Sequence, residues 1–581
     1  MRRRLLLLAG VALVVWLAAA AFSLLRLASD LDAGNDAASA ARGQLGAEQV
    51  AEQEPLPELR TAATRFAAAH DRAGGLVLAP LRVLPVIGRQ LRSVDALSGA
   101  AATVADAGVD AVERAGVVFE DPAAAGRDRV EQVRELRDVI QDVTVRLDAI
   151  EDLGPVSGLL SPLADARNDL SGELGDVRRT LRTARAGADA ALALVTGPRR
   201  YLVLAANNAE MRAGSGMWLQ GGTLVTSEGD LELRDMVSLH NDADPPDGAV
   251  VATGDLASRW GFLNPGNEWR NLMASPRFPE SAQLAVQMWR AAGRGEVDGV
   301  LAVDAIGLQA IVAATGPIET EAGTMDEDRI VRHLLHDQYL DLGDTIGQTG
   351  RANAERREGL AELATAAVAA IDAGDYPAST LIRTLGDAVA GRHLLAWSGD
   401  EVEQQGWEAA GMSGDLRSDS LLVSVLNRGG NKLDPYLEID AALEVEPSRD
   451  GWDVTVELEL TNTAPSGEPP YIAGPFAGLD LDAGEYRGIL AVNVPGGARG
   501  AAFDDVEQLA VAGRDGRTRV VGFPLDLPRG ASRVAVLRFR LRPGAEHLVV
   551  EPSSRVPGIT WRYGSASWED SASRTAKFPR G

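Results

Sequence analysis

Cysteine is absent from all 581 residues, and its absence removes disulfides, thiolate zinc sites and a cysteine nucleophile together. Any part of the chain outside the cytoplasm is then held by packing alone. Positive charge is scarce: 57 Lys and Arg face 83 Asp and Glu, a net charge of -26, which opposes nonspecific attraction to nucleic acid or to an anionic lipid surface. No nucleic-acid partner is expected. Several chemistry-bearing patterns are missing too. There is no HExxH, no GxxxxGK[ST] phosphate loop and no GxSxG elbow, and Gly214 and Gly216 lack the full GxGxxG spacing. His333 and His336 are three apart on an expected helix beside Asp337, short of the ligands a metal needs.

Long apolar runs are also few, and the one at the N-terminus stands out. Met1-Arg2-Arg3-Arg4 precedes an uncharged run from Leu5 to Leu25, about the length that spans a bilayer as a helix. Three arginines before it and only Arg26 close after it put the N-terminus in the cytoplasm and the rest outside. A cleaved signal peptide is the competing reading, since Ala18 to Ala21 offers small residues to a peptidase; the length of the run favours an uncleaved anchor. Residues 1–30 are thus read as cytoplasmic tip and transmembrane anchor.

Residues 31–198 read as an extracytoplasmic helical stalk. Val130, Val133, Leu136, Val139, Ile140, Val143, Leu147 and Ile150 recur at three- and four-residue spacing, the mark of one apolar helix face. A second such helix covers Leu163 to Val195, and Gly154-Pro155 and Pro162 separate the two. Gly74 to Gly88, GGLVLAPLRVLPVIG, is strongly apolar and broken by Pro80 and Pro85, with Arg82, Arg89 and Arg92 nearby. It suits either a segment lying on the membrane surface or a buried connector between helices.

From 199 to 433 strands and helices alternate, which predicts an α/β sandwich core with a helical insertion at about 325–410. The strand at Tyr201, YLVLAA, has no polar alternation and so reads as covered on both faces. Asn207, Asn208, Glu210 and Arg212 follow it, at the end where open α/β sheets bind ligands. A second polar cluster, EWRNLMASPRFP, holds Glu268, Arg270, Asn271 and Arg277 just before a helix expected from Pro279. Two arginines beside a helix N-terminus suit phosphate or carboxylate, or simply pair with nearby acids. A third, LNRGGNK, carries Asn427, Asn431 and Lys432 after the apolar strand from Leu421. If the first and third strands are neighbours, their clusters face one cavity. Residues 434–564 alternate in short runs such as WDVTVELEL and RVAVLRFRL, predicting an immunoglobulin-like β-sandwich, and 565–581 reads as a flexible tail. The fold class is therefore α+β and multidomain.

RYLVLAANNAEMRAGSG, EWRNLMASPRFPESAQ, DGVLAVDAIGLQAIVAATGPI and LLVSVLNRGGNKLDPYL, in this order from about Pro198 to Val494, resemble the membrane-anchored bacterial proteins grouped as domain of unknown function 4012. The layout from Tyr201 to Ile318 is more distantly similar to the LytR-CpsA-Psr ligases, which attach glycopolymers from a polyprenyl pyrophosphate carrier to the cell wall. That resemblance implies a bacterial envelope protein in cell-surface polysaccharide assembly, with Glu210, Arg212, Arg270 and Arg277 as counterparts of the pyrophosphate- and magnesium-holding catalytic residues. Asn207, Asn208, Asn271, Asn427, Asn431 and Lys432 would line the ligand. The competing class is a noncatalytic scaffold that binds glycan or envelope protein partners.

Overall fold

The computed structural model describes residues 2–120, 122–150, 153–342, 350–474 and 478–579. The parts of the predicted anchor, stalk, insertion, sandwich and tail that fall on the remaining positions lie outside the described residues. The chain divides into two compact units, one of Met1–Ala123, Glu131–Asp189 and Ala378–Arg383, the other of Ala124–Val130, Ala190–Pro377 and Thr384–Gly581.

The first unit is built from helices α1 (Arg2–Arg42), α2 (Ala47–Ala51), α3 (Leu56–Gly74), α4 (Ala79–Arg82) and α5 (Ile87–Glu120), with most of α6 (Gly126–Asp148) and α7 (Ser161–Thr196). α1 runs as one helix across residue 30, where the anchor is read as giving way to the stalk. Nothing in that stretch stops a helix: Leu27 packs on Ala69 and Ala73 of α3, and the buried Asp30 is held by Arg65 at 3.2 Å and by Arg72. The part of α1 from Ala12 is long and apolar enough to cross a membrane. Ala37, Ala62 and Ala105 join α1, α3 and α5 through small side chains, which let the backbones approach closely. The expected helix at Val130 is α6, and that at Leu163 is α7.

The second unit begins with a mixed five-stranded sheet. Its strands are β1 (Arg199–Met211), β2 (Gly216–Ser227), β3 (Asp230–Ser238), β4 (Gly299–Val303) and β7 (Leu394–Ser398), in the order β3-β2-β1-β4-β7, and only β1 and β4 pair in parallel. β5 (Ile318–Thr320) and β6 (Gly323–Met325) form a separate hairpin. The helices of this stretch of chain are the short α8 (Leu239–Asp242) and α9 (Gly254–Trp260), then α10 (Phe278–Ala291), α11 (Ala305–Thr315), α12 (Glu327–Leu335), α13 (Gly350–Ala373), α14 (Ala378–Ala390) and, after β7, α15 (Glu401–Ala409). β1 is covered on both faces, as its uniform apolarity predicts. Leu202 and Leu204 meet Ala282, Ala285 and Met288 of α10 on one side, while Tyr201 and Val203 meet Ala364 and Val368 of α13 on the other. The helical insertion at 325–410 is not purely helical: β7 returns from it to the edge of the sheet beside β4.

Two six-stranded sheets follow, β12-β15-β10-β9-β17-β18 and β13-β14-β11-β8-β16-β19. Their strands are β8 (Ser420–Asn427), β9 (Leu437–Ser448), β10 (Gly451–Asn462), β11 (Tyr486–Pro495), β12 (Arg499–Phe503), β13 (Val511–Asp515), β14 (Thr518–Leu527), β15 (Ser532–Leu541), β16 (His547–Val550), β17 (Thr560–Tyr563), β18 (Ala566–Glu569) and β19 (Arg574–Lys577). One apolar core joins the inner faces, with Val454, Val456 and Leu458 opposite Val423, Leu490 and Phe523. Two boundaries of the prediction are corrected here. The sandwich starts before residue 434, because β8 sits inside its second sheet, bonded to β11 and β16. Every residue of β8 is buried, and its two faces serve different cores: Leu421, Val423 and Val425 fill the sandwich, while Leu426 packs with the α10 side of the first sheet. The tail is no loose end either, since β18 and β19 pair with β17 and β16 and Ala576 is buried.

Candidate functional site

The three polar clusters of the sequence meet at the end of β1, although β1 and β8 belong to different sheets. β1 does not stop at Ala206 as its apolar run suggests. It continues through Asn207 to Met211 with shifts in register against β2, and Gly216 makes the close approach feasible, because a Cβ there would lie 2.2 Å from the carbonyl carbon of Asn207. The strand end thereby brings Glu210 to Lys432, Oε2 to Nζ at 2.8 Å, with both side chains more than nine-tenths buried. The ammonium of Lys432 also lies over the rings of Tyr339 and Tyr471, 5.6 and 5.1 Å from their centres, a favourable site for a cation. Asn207 donates to Glu210 at 3.2 Å and to the hydroxyl of Tyr339 at 3.0 Å.

Arg212 closes the second link. Its Nη1 donates to the carbonyls of Met211 and Asn427, both at 2.9 Å, and its Nε to Oδ1 of Asn271 at 3.3 Å. Burial brings the Arg212 guanidinium down to about 10, against the opposing pull of Glu210. Asn271 in turn donates to the carbonyl of Leu263 at 2.8 Å. Below them Asn427 donates to Asp434 at 2.8 Å and to the backbone and side-chain oxygens of Asn431. Asn431 donates to the carbonyl of Glu485 at 2.9 Å. Seven of the ten predicted site residues thus form one cluster of two bonded groups, Asn207, Glu210 and Lys432 in one and Arg212, Asn271, Asn427 and Asn431 in the other, with the charge of Glu210 acting on Arg212 across them.

The other three stand apart from it. Asn208 points to the opposite neighbour, donating to Asp304 at 2.8 Å and to the carbonyl of Ser554 at 2.9 Å. Arg270 is paired with Glu268, which holds the guanidinium above its ordinary range. Arg277 reaches Asp415 at 3.2 Å and Glu280 at 2.9 Å; burial works against its charge, and the two carboxylates more than offset this. The pairing of both arginines with nearby acids, one of the two alternatives open at the sequence level, is what the structure contains.

Other groups at the site were not singled out by sequence reasoning. Asp434 accepts from the backbone N–H of Met211 at 3.0 Å and from the hydroxyl of Tyr486 at 2.8 Å, and lies 3.3 Å from Arg555. Both charges of that pair are sealed from water, and burial pushes the Asp434 carboxyl up despite Arg555 and the hydrogen bonds. Asp434 is visible in the sequence as the acid two residues after Lys432. Arg555, 121 positions further on, has no local signal. Another is His393, whose Nδ1 lies 2.7 Å from Asp304; burial disfavours its charge, but Asp304 raises its affinity for a proton. Asp304 also caps α11, accepting from Ile306 and Gly307.

Open space at this site is small. A cavity of about 80 Å³ lies at the carboxyl ends of β1 and β4, lined by Ala205, Asn207, Val303, Leu308, Tyr339 and Arg356 among others. Two larger clefts, of about 600 and 680 Å³, share Arg417 and Arg517 and include none of the predicted site residues. Among the described residues no group of three or more His, Cys, Asp or Glu side chains is placed to hold a metal. The acids of the network face cations or amide donors instead, so the donor set suits charge pairing better than a divalent ion.

A mixed sheet clad in helices, with a polar junction at the end of its central strand, defines the class structurally. Residues 196–339, which carry β1 to β6 and the first two polar clusters, match the model of a family described as protein of unknown function, DUF4012. This segment is similar to that family, as its motifs imply. No curated protein and no solved structure matches it.

Proposed function

We propose that this protein is a membrane-anchored component of the bacterial envelope, with its N-terminus in the cytoplasm and its body outside, that serves cell-surface polysaccharide or cell-wall glycopolymer assembly as a noncatalytic scaffold. What supports the scaffold reading is one observation: the charged groups expected to hold a pyrophosphate are already consumed by protein partners. Arg212 is buried against two carbonyls and an amide oxygen, Arg270 and Arg277 are paired, and Glu210 is neutralised by Lys432. A catalytic site keeps such groups aimed at the place where charge develops; here they brace two layers of protein. In this reading the immunoglobulin-like sandwich is the module that meets glycan or envelope proteins.

A second reading keeps glycopolymer transfer, and the small cavity at the carboxyl ends of β1 and β4 favours it, since open α/β sheets bind ligands there. Asn207 and Arg356 would then face a polyprenyl-phosphate-linked glycan, with magnesium supplied by the substrate complex. One experiment separates the two. Cells lacking the chain are complemented with wild type or with Glu210→Gln and Lys432→Met combined, and polymer attached to the surface is measured at matched protein levels. The scaffold reading expects loss of polymer without the chain and full restoration by both forms. Restoration by wild type alone, with the variant folded, favours transfer. Unchanged polymer in cells lacking the chain removes the envelope-assembly proposal altogether.

A further inference from the structure

Between α3 and α5 the chain makes the apolar loop that sequence reading left open between a membrane-surface segment and a buried connector. It is not buried. Leu76, Val83 and Val86 are 91%, 83% and 68% exposed, an unusual state for three large aliphatic side chains within eleven positions. Only the middle of the loop is tucked in: Leu78 is fully covered by Trp16 and Ala20 of α1 and by Leu81 and Leu91. The indole N–H of Trp16 donates to the carbonyl of Val77 at 2.9 Å.

That contact fixes what surrounds the loop. At a rise of about 1.5 Å per residue, Trp16 and Ala20 lie roughly 17 and 23 Å from Leu5, in the second half of a hydrocarbon layer about 30 Å thick. The face of α1 at the same level is itself open and apolar, with Leu13, Val14, Leu17 and Phe22 exposed. We infer that residues 76–87 insert beside α1 into the leaflet nearer the protein body, so that the chain holds the membrane at two points. The inference rests on the reading of α1 as a retained membrane anchor.

The loop is built for that environment. Backbone groups without partners are costly in lipid, and several here are satisfied internally: Leu78 N–H bonds to Gly75, Leu81 to Leu78, Leu84 to Leu81 and Gly88 to Leu84, at 2.8 to 3.2 Å. Pro80 and Pro85 have no N–H to satisfy. The one charged side chain inside the loop, Arg82, turns back to Asp95 and to the carbonyl of Gly74. The charged layer of Asp30, Arg65 and Arg72 comes after Phe22 along α1, where a lipid headgroup region would end the apolar zone. Because the attraction is apolar and the chain is strongly acidic, anionic lipid is not required.

The absence of native cysteine makes the test direct. Single cysteines replace Val83, Val86, Leu17 or Leu509 in the full chain, each is labelled with an environment-sensitive fluorophore, and the proteins are reconstituted in phosphatidylcholine vesicles that carry spin-labelled acyl chains. Leu509, exposed in the sandwich region, is the aqueous reference. The expected result is quenching of Val83→Cys and Val86→Cys several-fold above Leu509→Cys and close to Leu17→Cys, unchanged on dilution of protein in lipid. Quenching at Leu17 with Val83 and Val86 at the Leu509 level overturns the inference and leaves the anchor reading intact. No quenching at any position overturns both. A blue shift at Val83 without lipid quenching, lost on dilution, assigns the loop to contact between copies of the chain and overturns the inference as well.

Discussion

Arg60 of α3 and Glu113 of α5 meet at 2.5 Å in the helical unit, with 58% and 44% of their side chains open to water. In the other unit Asp434 and Arg555 meet with 0% and 1% open. Both pairs come from the same acidic composition, yet they do opposite work. An exposed pair gains little, because water and salt screen it and ordering two long side chains costs entropy. A sealed pair contributes little net stability of its own, because desolvation opposes the attraction, but it makes the fold intolerant of losing either member. The helical unit is therefore held mainly by small apolar contacts such as Ala37 with Ala62 and Ala105. The α/β sheet and the sandwich are locked in a single relative geometry by ions and amides that fit only when both are in place.

The sharpest way to break this contrast is Arg555→Leu, which strands Asp434 without its cation. Stability should fall by about 3 to 5 kcal/mol, read from urea unfolding followed by the fluorescence of the buried Trp561. A drop below about 1 kcal/mol would mean that the junction behaves like the helical surface. Next in size is Lys432→Met, which leaves Glu210 unpaired and should cost about 3 kcal/mol. Adding Glu210→Gln should recover part of it, and a double-mutant cycle that shows no coupling would detach Glu210 from Lys432.

Acid–base behaviour offers a third probe. Burial lifts the Asp570 carboxyl to about 6 from an ordinary 3.8, against the N–H groups of Ile559 and Ser553 that favour its charge. The folded state then holds this proton more tightly than the unfolded chain. Its contribution is complete below about pH 4 and is lost as pH rises through about 6, on the order of 3 kcal/mol. Unfolding curves of wild type should show that loss, and Asp570→Asn should lack it; equal slopes in the two proteins would refute the assignment. The smallest effect belongs to the helical unit. Arg60→Ala should change stability by less than about 1 kcal/mol and only at low salt, and a larger, salt-independent loss would erase the comparison from its other side.

Much of this was readable from residues close together in the chain. The even apolarity of Tyr201 to Leu204 announced a strand with two covered faces, the three- and four-residue spacing from Val130 announced α6, and the alternation of WDVTVELEL announced β10. The polar residues at the ends of β1 and β8 were legible as a candidate site for the same reason: Asn, Gly and charge at the end of a core strand are a local pattern. Their convergence was legible only as a possibility tied to neighbouring strands, and it came about by another route, through loops joining two different sheets.

Sequence alone determined where elements such as α6, β1 and β10 lie, that nothing is cross-linked by sulfur, and that one run could enter a bilayer, because each follows from the side chains of a few consecutive residues. Only the tertiary structure decided that β8 belongs to the sandwich, that Arg555 seals Asp434, that Lys432 rather than a phosphate answers Glu210, and that the proline-broken loop at Leu76 stays exposed beside Trp16. Those outcomes pair groups as far apart in the chain as Glu210 and Lys432. A local pattern states what a residue needs, a partner or a cover, and packing chooses which residue supplies it.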